Sequence, residues 1–370
     1  MILRVIVTLI FSFIPICSVC ENNLQKSPRI IKTIYGSIKV HDKTILELLD
    51  SDAVQRLKKI DQYGLIESKS FSRYDHSVGV WFLLEKFGAS REEQIAGLLH
   101  DASHTVFSHV GDKVFRYAEK KDSYQDKIHE WWLMQTSVPE ILKKHGISLS
   151  SMDYKDGKLS LLERELPEIC VDRLEYNLRG GLIEGLITQR EIDKILENIK
   201  FENGIFFFTN IDIAKKFAEI PLYLTEYVWG SHKDFVAQIF LAHALRRGVK
   251  LNLISTEEIL FSTDELVLDK LVSSLDKLIY RDLKFHANCK DLYDLDSGHN
   301  AHKSFVCKFR GIDPWIKMPN GELLRLSEIN KNFMQYYNLV KDKMSRGFKI
   351  KIKNQEILND AYYLEDLFAV

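Results

Sequence analysis

The sequence predicts a mainly α protein: a helical bundle with a short N-terminal β element and a small α+β C-terminal region. Three observations predict it. Apolar residues recur at three-to-four spacing over most of the stretch from Thr44 to Arg247. Strand-like runs gather before His41 and beyond Asp291, with Phe201 to Phe208 as one further hairpin signal around Asn203-Gly204. The chain has 370 residues, 45% hydrophobic and 28% charged, enough for a large core, and disordered, collagenous and multi-span membrane classes fit it badly. Lys and Arg number 51 against 52 Asp and Glu, so no whole-molecule field draws nucleic acid, and no nucleic-acid partner is expected.

Residues 1–20 read as a signal peptide. Arg4 precedes an uncharged stretch from Val5 to Cys20 that falls short of the roughly 20 apolar residues needed to span a bilayer, and Ser18-Val19-Cys20 offers small side chains before Glu21. An exported protein with no stable membrane span after leader removal is expected. An uncleaved anchor, or a cytoplasmic chain with a buried N-terminal strand, is the alternative. Lipidation of Cys20 is disfavoured by Cys17, which stands where a branched aliphatic residue is wanted. Cys170, Cys289 and Cys307 remain after cleavage, too few for a disulfide framework or a zinc knuckle.

Ile30 to Gly36 and Ser37 to Val40 read as strands around a turn at Gly36. Helices are predicted over Thr44 to Leu49, Ala53 to Tyr63, Tyr74 to Phe87, Glu92 to His100, Gly111 to Glu119, Asp126 to Gln135, Pro167 to Leu178, Gln189 to Ile199 and Ile211 to Arg247. Beyond Asp291, strands are expected at Phe305 to Phe309, Trp315 to Met318 and Leu323 to Leu326, then a helix over Ser327 to Met344 and a last strand at Phe348 to Ile352. The alternation Lys349-Ile350-Lys351-Ile352-Lys353 reads as an edge strand protected by lysines. Trp131-Trp132 and Phe206-Phe207-Phe208 read as core or interface.

Five of the twelve histidines lie between His76 and His129. Helix rise brings two of them together: Tyr74 to Phe87 climbs about 21 Å, and Ser90 to Asp101 returns about 18 Å after a tight turn, so His76 and His100 end at one level. Two imidazoles and the Asp101 carboxylate can then converge on one divalent cation, with manganese, iron, zinc and magnesium all suited to such donors. Asp172, opening the polar face of an otherwise apolar helix, is the candidate fourth ligand.

Arg73-Tyr74-Asp75-His76-Ser77-Val78-Gly79-Val80, Ile95 to Asp101 and Val171-Asp172-Arg173-Leu174-Glu175-Tyr176 together resemble the HD-domain phosphohydrolases, most closely the deoxynucleotide triphosphohydrolase branch. The resemblance runs over residues 30–278, which reads as the HD-domain core, and leaves 291–370 as a separate α+β region. It also takes in Gln55-Arg56-Leu57 through Gln62-Tyr63-Gly64, and Phe107 to Asp112. It implies an HD-type helical bundle and a metal-dependent phosphohydrolase acting on a nucleotide or related phosphate ester, with a homo-oligomer compatible. By the same resemblance His76, His100, Asp101 and Asp172 are the metal ligands. His104, His109, Asp112 and His129 form the catalytic polar cluster, with Glu130 orienting His129. Arg73 and Arg173 hold phosphate, and Gln62 and Tyr176 lie near the sugar. Two positions depart from the pattern: Gly180 stands where an acid usually holds the sugar 3'-hydroxyl, and Tyr63 where a smaller aliphatic residue lines the sugar pocket. Deoxyribose selectivity is therefore not expected to follow from the resemblance.

Overall fold

The computed structural model describes residues 28–64, 70–116, 123–152, 159–295 and 301–368; the leader-like residues 1–20 lie outside them. The N-terminal hairpin pairs β1 (Arg29–Thr33) with β2 (Gly36–Val40) in antiparallel register. Helices then dominate: α1 (Lys43–Leu49), α2 (Asp52–Arg56), α3 (Arg73–Lys86), α4 (Arg91–Leu99), α5 (Val110–Val114), α6 (Tyr124–Leu133), α7 (Val138–Lys144), α8 (Val171–Ile183) and α9 (Gln189–Asn198). The predicted helix from Ala53 to Tyr63 stops early, giving way to a single 3₁₀ turn at Leu57–Lys59. The helix expected from Pro167 begins four residues later, at Val171.

Strands β3 (Ile199–Glu202) and β4 (Ile205–Phe208) form the hairpin read from Asn203-Gly204. Next come α10 (Ile211–Tyr227) and α11 (His232–Lys250), two helices where apolar spacing predicts one from Ile211 to Arg247. They part because the Ser231 hydroxyl accepts from the Asp234 amide and starts a new helix, while Gly230 passes so close to the Thr225 carbonyl that a Cβ has no room. Three helices lie beyond the predicted ones: α12 (Thr256–Phe261), α13 (Asp264–Ser273) and α14 (Lys277–Ala287), the last packed along α11 with Phe285 edge-on to Phe240.

The C-terminal region holds β5 (Tyr293–Leu295), β6 (Lys303–Phe305), β7 (Trp315–Lys317), β8 (Leu323–Arg325), α15 (Leu326–Ile329), α16 (Lys331–Arg346), β9 (Phe348–Ile352), α17 (Gln355–Leu358) and α18 (Ala361–Leu367). It is stitched into the bundle, because β7 pairs in parallel with β4 in the sheet β3-β4-β7-β8. Strand β9 corrects one expectation: it is the central strand of β5-β9-β6, and Lys349 and Lys351 point to solvent from one face while Phe348, Ile350 and Ile352 are buried on the other. Alternating lysines record a half-buried strand, edge or not.

Around the site, α3 packs against both α4 and α8, and two glycines permit the approach. A Cβ at Gly97 would press on Val80 and Leu84 of α3, and one at Gly79 would come within 2.8 Å of the Glu175 side chain on α8. Ser72 caps α3 through a reciprocal box with Asp75, fixing where the helix starts and hence where His76 stands. No helix of the described residues is long and apolar enough to cross a membrane, and the described cysteines Cys170, Cys289 and Cys307 are all free.

Candidate metal centre and active site

His76 on α3, His100 and Asp101 at the end of α4, and Asp172 in the first turn of α8 meet below the surface. The His76 Nε2 lies 3.2 Å from His100 Nε2 and 2.9 Å from Asp172 Oδ1, with Asp101 Oδ2 at 3.6 Å. His100 Nε2 is 3.5 Å from both Asp101 Oδ1 and Asp172 Oδ1. The outward ring nitrogens are already committed. His100 Nδ1 donates to the Gly97 carbonyl at 2.7 Å, and His76 Nδ1 meets the Glu175 carboxylate at 2.5 Å. With Nδ1 so engaged, each ring turns its Nε2 toward the other ring and toward two carboxylates, a donor set of the kind a divalent cation gathers.

Electrostatics give the same answer. Burial alone would depress His76, but Glu175, Asp172 and Asp101 outweigh it and push its pKa up to about 10. His100 is raised in the same way, with Asp101 and Asp172 overcoming burial. Burial opposes ionisation of Asp101 as well, yet Arg73, His100 and His104 hold it well below the usual carboxylate range. Without a metal, the cluster recruits protons to balance its carboxylates, and a cation would take their place. The residues present fit one divalent ion.

A cavity of about 300 Å³ opens beside this cluster, lined by Gln62, Tyr63, Arg73, His109, Tyr176 and Trp229 among others. The imidazole that reaches it is His109. Its Nδ1 lies 3.6 Å from Asp112 Oδ2, and Asp112 is fixed in turn by the Tyr124 amide at 2.8 Å. Burial lowers the pKa of His109, with Asp112 opposing, and the ring stands at the cavity within reach of a proton to be moved. The loop carrying it is unusual: Phe107 and Ser108 both adopt left-handed backbone, at φ 55° and 53°. Asp264 accepts from the Phe107 amide at 2.7 Å and the Asp61 carbonyl accepts from the Ser108 hydroxyl, and these bonds hold the turn. His104, driven by burial to a pKa of about 3, stays neutral and faces Asp101 Oδ1 at 3.3 Å, edge-on to the His109 ring.

The HD domain family matches residues 73–156. An uncharacterised protein of Bacillus subtilis, YdhJ, is 33% identical over 329 residues, covering 87% of this chain and 98% of its own. The metal-dependent phosphohydrolase cns2 of Cordyceps militaris is 35% identical over 45% of this chain and 49% of its own. The deoxynucleoside triphosphate triphosphohydrolase SAMHD1 of Xenopus laevis is 28% identical over 34% of this chain and 24% of its own. The chain is an HD-superfamily phosphohydrolase. A phosphohydrolase crystal structure from Bacteroides thetaiotaomicron shares the fold at a TM-score of 0.64 and 15% identity, covering 88% of this chain and all of that one.

Within this HD phosphohydrolase, the residues singled out from the sequence divide by what they touch. His76, His100, Asp101 and Asp172 converge. Gln62 and Tyr176 line the cavity, and so does Tyr63, edge-on to both Phe71 and Trp229. Arg73 also reaches the cavity, yet its guanidinium is taken: Asp101 Oδ2 at 2.5 Å, Ser108 Oγ at 2.8 Å and the Gln62 carbonyl at 3.3 Å. Arg173 pairs with Glu163, whose carboxylate lies within 4.8 Å of Asp172, and donates to the Glu168 carbonyl at 3.1 Å. His129 is not among the cavity-lining residues; its Nδ1 meets the Ser103 hydroxyl at 2.8 Å, and Glu130 is exposed.

Sequence reasoning passed over Glu175, Ser103 and Trp229. Glu175 is fully buried, with Oε1 also accepting from Arg179 Nε at 2.6 Å and from the Tyr35 hydroxyl at 3.1 Å. Its place one turn after Asp172 was the available signal, because ligand and orienting carboxylate then share a helix face. Trp229 had none: its ring occupies the space above Gly180, where a Cβ would lie 3.1 Å from it.

Proposed function

We propose that this HD phosphohydrolase cleaves a phosphate ester of a nucleotide, with release of the whole phosphate chain as the leading outcome. One observation carries the reading. The Tyr63 and Tyr176 hydroxyls, Gln62 Oε1 and Trp229 Nε1 are all buried and have no hydrogen-bond partner among the described residues, and all four belong to the wall of the cavity beside the metal ligands. Buried polar atoms are nearly always satisfied, so a group that nests donors and acceptors among aromatic rings, as a sugar and base do, suits this wall. The SAMHD1 relative, a deoxynucleoside triphosphate triphosphohydrolase by name, supports triphosphate as the leaving product.

The chain's own residues divide the work. His76, His100, Asp101 and Asp172 would hold the ion, and a bound divalent cation supplies Lewis acidity toward a phosphoryl oxygen and toward water. Arg73 keeps Asp101 ionised and aimed. His109, steadied by Asp112, holds or moves the proton at the cavity, and an incoming phosphate anion favours its protonated form. Trp229 replaces an acceptor carboxylate by an aromatic face over Gly180, which supports weak discrimination at the sugar hydroxyls.

Product analysis on a panel of nucleotides with added manganese tests the reading, with Asp172→Ala as the blank. Release of triphosphate supports it. Release of orthophosphate alone assigns a phosphomonoesterase, a linear nucleotide from a cyclic one assigns a phosphodiesterase, and binding without turnover assigns a nucleotide-binding protein. The leader-like residues 1–20 favour an exported enzyme, and N-terminal sequencing that finds Met1 on cytoplasmic protein overturns that placement.

A further inference from the structure

Both arginines expected to hold phosphate are engaged by protein groups, Arg73 by Asp101, Ser108 and Gln62, and Arg173 by Glu163 and Glu168. An anionic substrate must meet other cations. Three line the cavity: Lys113, Lys308 and Arg310. Lys113 already donates to Gln238 Oε1 at 2.5 Å, and Lys308 is exposed. Arg310 is half-buried, and among the described residues it has no hydrogen-bond or ion-pair partner, although its charge bears on both His109 and Tyr176. The cavity's carboxylates are spoken for, Asp112 by His109 and the Tyr124 amide, Asp234 by Gln238.

The segment that carries Arg310, residues 306–314 between β6 and β7, is anchored on both sides. Before it, the Phe309 ring sits edge-on to Tyr337 at 5.2 Å. After it, Ile312 is fully buried, and Asp313 accepts from the Ser327 amide at 3.0 Å and hydroxyl at 2.7 Å. The Asp313 amide donates to the Pro167 carbonyl at 3.2 Å, tying this segment to the loop that leads into α8 and Asp172. The backbone on either side of Arg310 is thus held in place, and the planar fork of donors that it carries matches two phosphate oxygens.

We propose that Arg310, delivered by the C-terminal region, is the phosphate-binding cation of this cavity. The inference rests on the phosphohydrolase reading and deepens it: the HD bundle supplies metal ligands and proton carrier, and the C-terminal region completes the substrate site.

The test uses the full-length, manganese-loaded chain and inorganic tripolyphosphate as probe, with binding followed by calorimetry and manganese content measured alongside. Arg310→Gln should weaken tripolyphosphate binding roughly 10- to 100-fold, the loss of a charge-assisted hydrogen-bonding pair, while manganese content stays unchanged. Arg310→Lys should fall between, because it keeps the charge without the fork. For a hydrolysed substrate, KM should rise more than kcat falls. Tripolyphosphate binding within about twofold of wild type in either variant overturns the proposal while leaving the phosphohydrolase reading intact. A wild-type chain that hydrolyses no phosphate ester and binds no tripolyphosphate removes both.

Discussion

Glu175→Gln isolates the carboxylate behind the metal centre. The substitution keeps the side chain's volume and an oxygen for His76 Nδ1, but it removes the charge and turns the oxygen that accepts from Arg179 and Tyr35 into an amide donor. Glu175 is fully buried and shared by His76 at 2.5 Å, Arg179 at 2.6 Å and Tyr35 at 3.1 Å. Leaving a buried cation without its anion costs about 3–5 kcal/mol. Arg179 keeps a bond to the Asp75 carbonyl at 3.0 Å, so the lower end, about 3 kcal/mol, is expected. The second effect is on the ion. A histidine ligand backed by a neutral amide is less basic, and loss of such a partner typically weakens metal binding by about 10- to 100-fold. Manganese titration of the chelator-stripped variant, with thermal unfolding measured in parallel, reads both. A variant that binds manganese as tightly as the wild type would refute the assignment of Glu175 to the metal site, whatever happens to Tm.

Gly79→Ala should reach the same carboxylate sterically: the new Cβ comes within 2.8 Å of Glu175 Cδ and Cγ, and overpacking of about 1–3 kcal/mol outweighs the helix-propensity gain of about 1 kcal/mol, seen as a lower Tm and weaker metal binding. His109→Ala should retain metal and lose about 10²–10⁴-fold in turnover, and His129→Ala, outside the cavity lining, should lose less; equal losses in steady-state assays would move the proton carrier to His129. The metal-free chain should lose stability as pH rises, because a folded-state pKa of about 10 for His76 lies above the unfolded value near 6.5. Its contribution is complete below about pH 6.5 and gone above about 10, and thermal scans of chelated protein across that window check it. Gly180→Asp, with Trp229 already 3.1 Å from a Cβ there, should lower Tm and leave 3'-hydroxyl selectivity within about a hundredfold unless Trp229 is also trimmed, measured as kcat/KM on 3'-deoxy analogues.

What the sequence disclosed and what it hid follow from one distinction. The meeting of His76, His100 and Asp101 was legible because helix rise is written locally: a residue's level depends only on spacing along its own helix and a short turn, whereas Asp172 was picked from the polar face of its own helix and from the family resemblance. The helical bundle itself was legible for the same reason, and so was the β3-β4 hairpin. The α10–α11 break was not, because the deciding feature is a tight approach of Gly230 to Thr225 that no apolar spacing records. Glu175 and His76 are 99 residues apart, Ser103 and His129 26, and bonds between side chains of separate elements leave no period in either.

Arg73 shows why counting cations from sequence overstates the field at a site. A guanidinium 2.5 Å from a buried carboxylate is half of a neutral pair, and its attraction for an incoming phosphate is largely cancelled at the distance of a second ligand. It still holds Asp101 ionised and in place. The positive potential that selects an anion must then come from a charge with no partner of its own. Among the described cations lining this cavity, Arg310 meets that condition, and it comes from a region with no part in the HD motif. A residue's type and neighbourhood along the chain set what it can do; its partner in space decides which of those things it does.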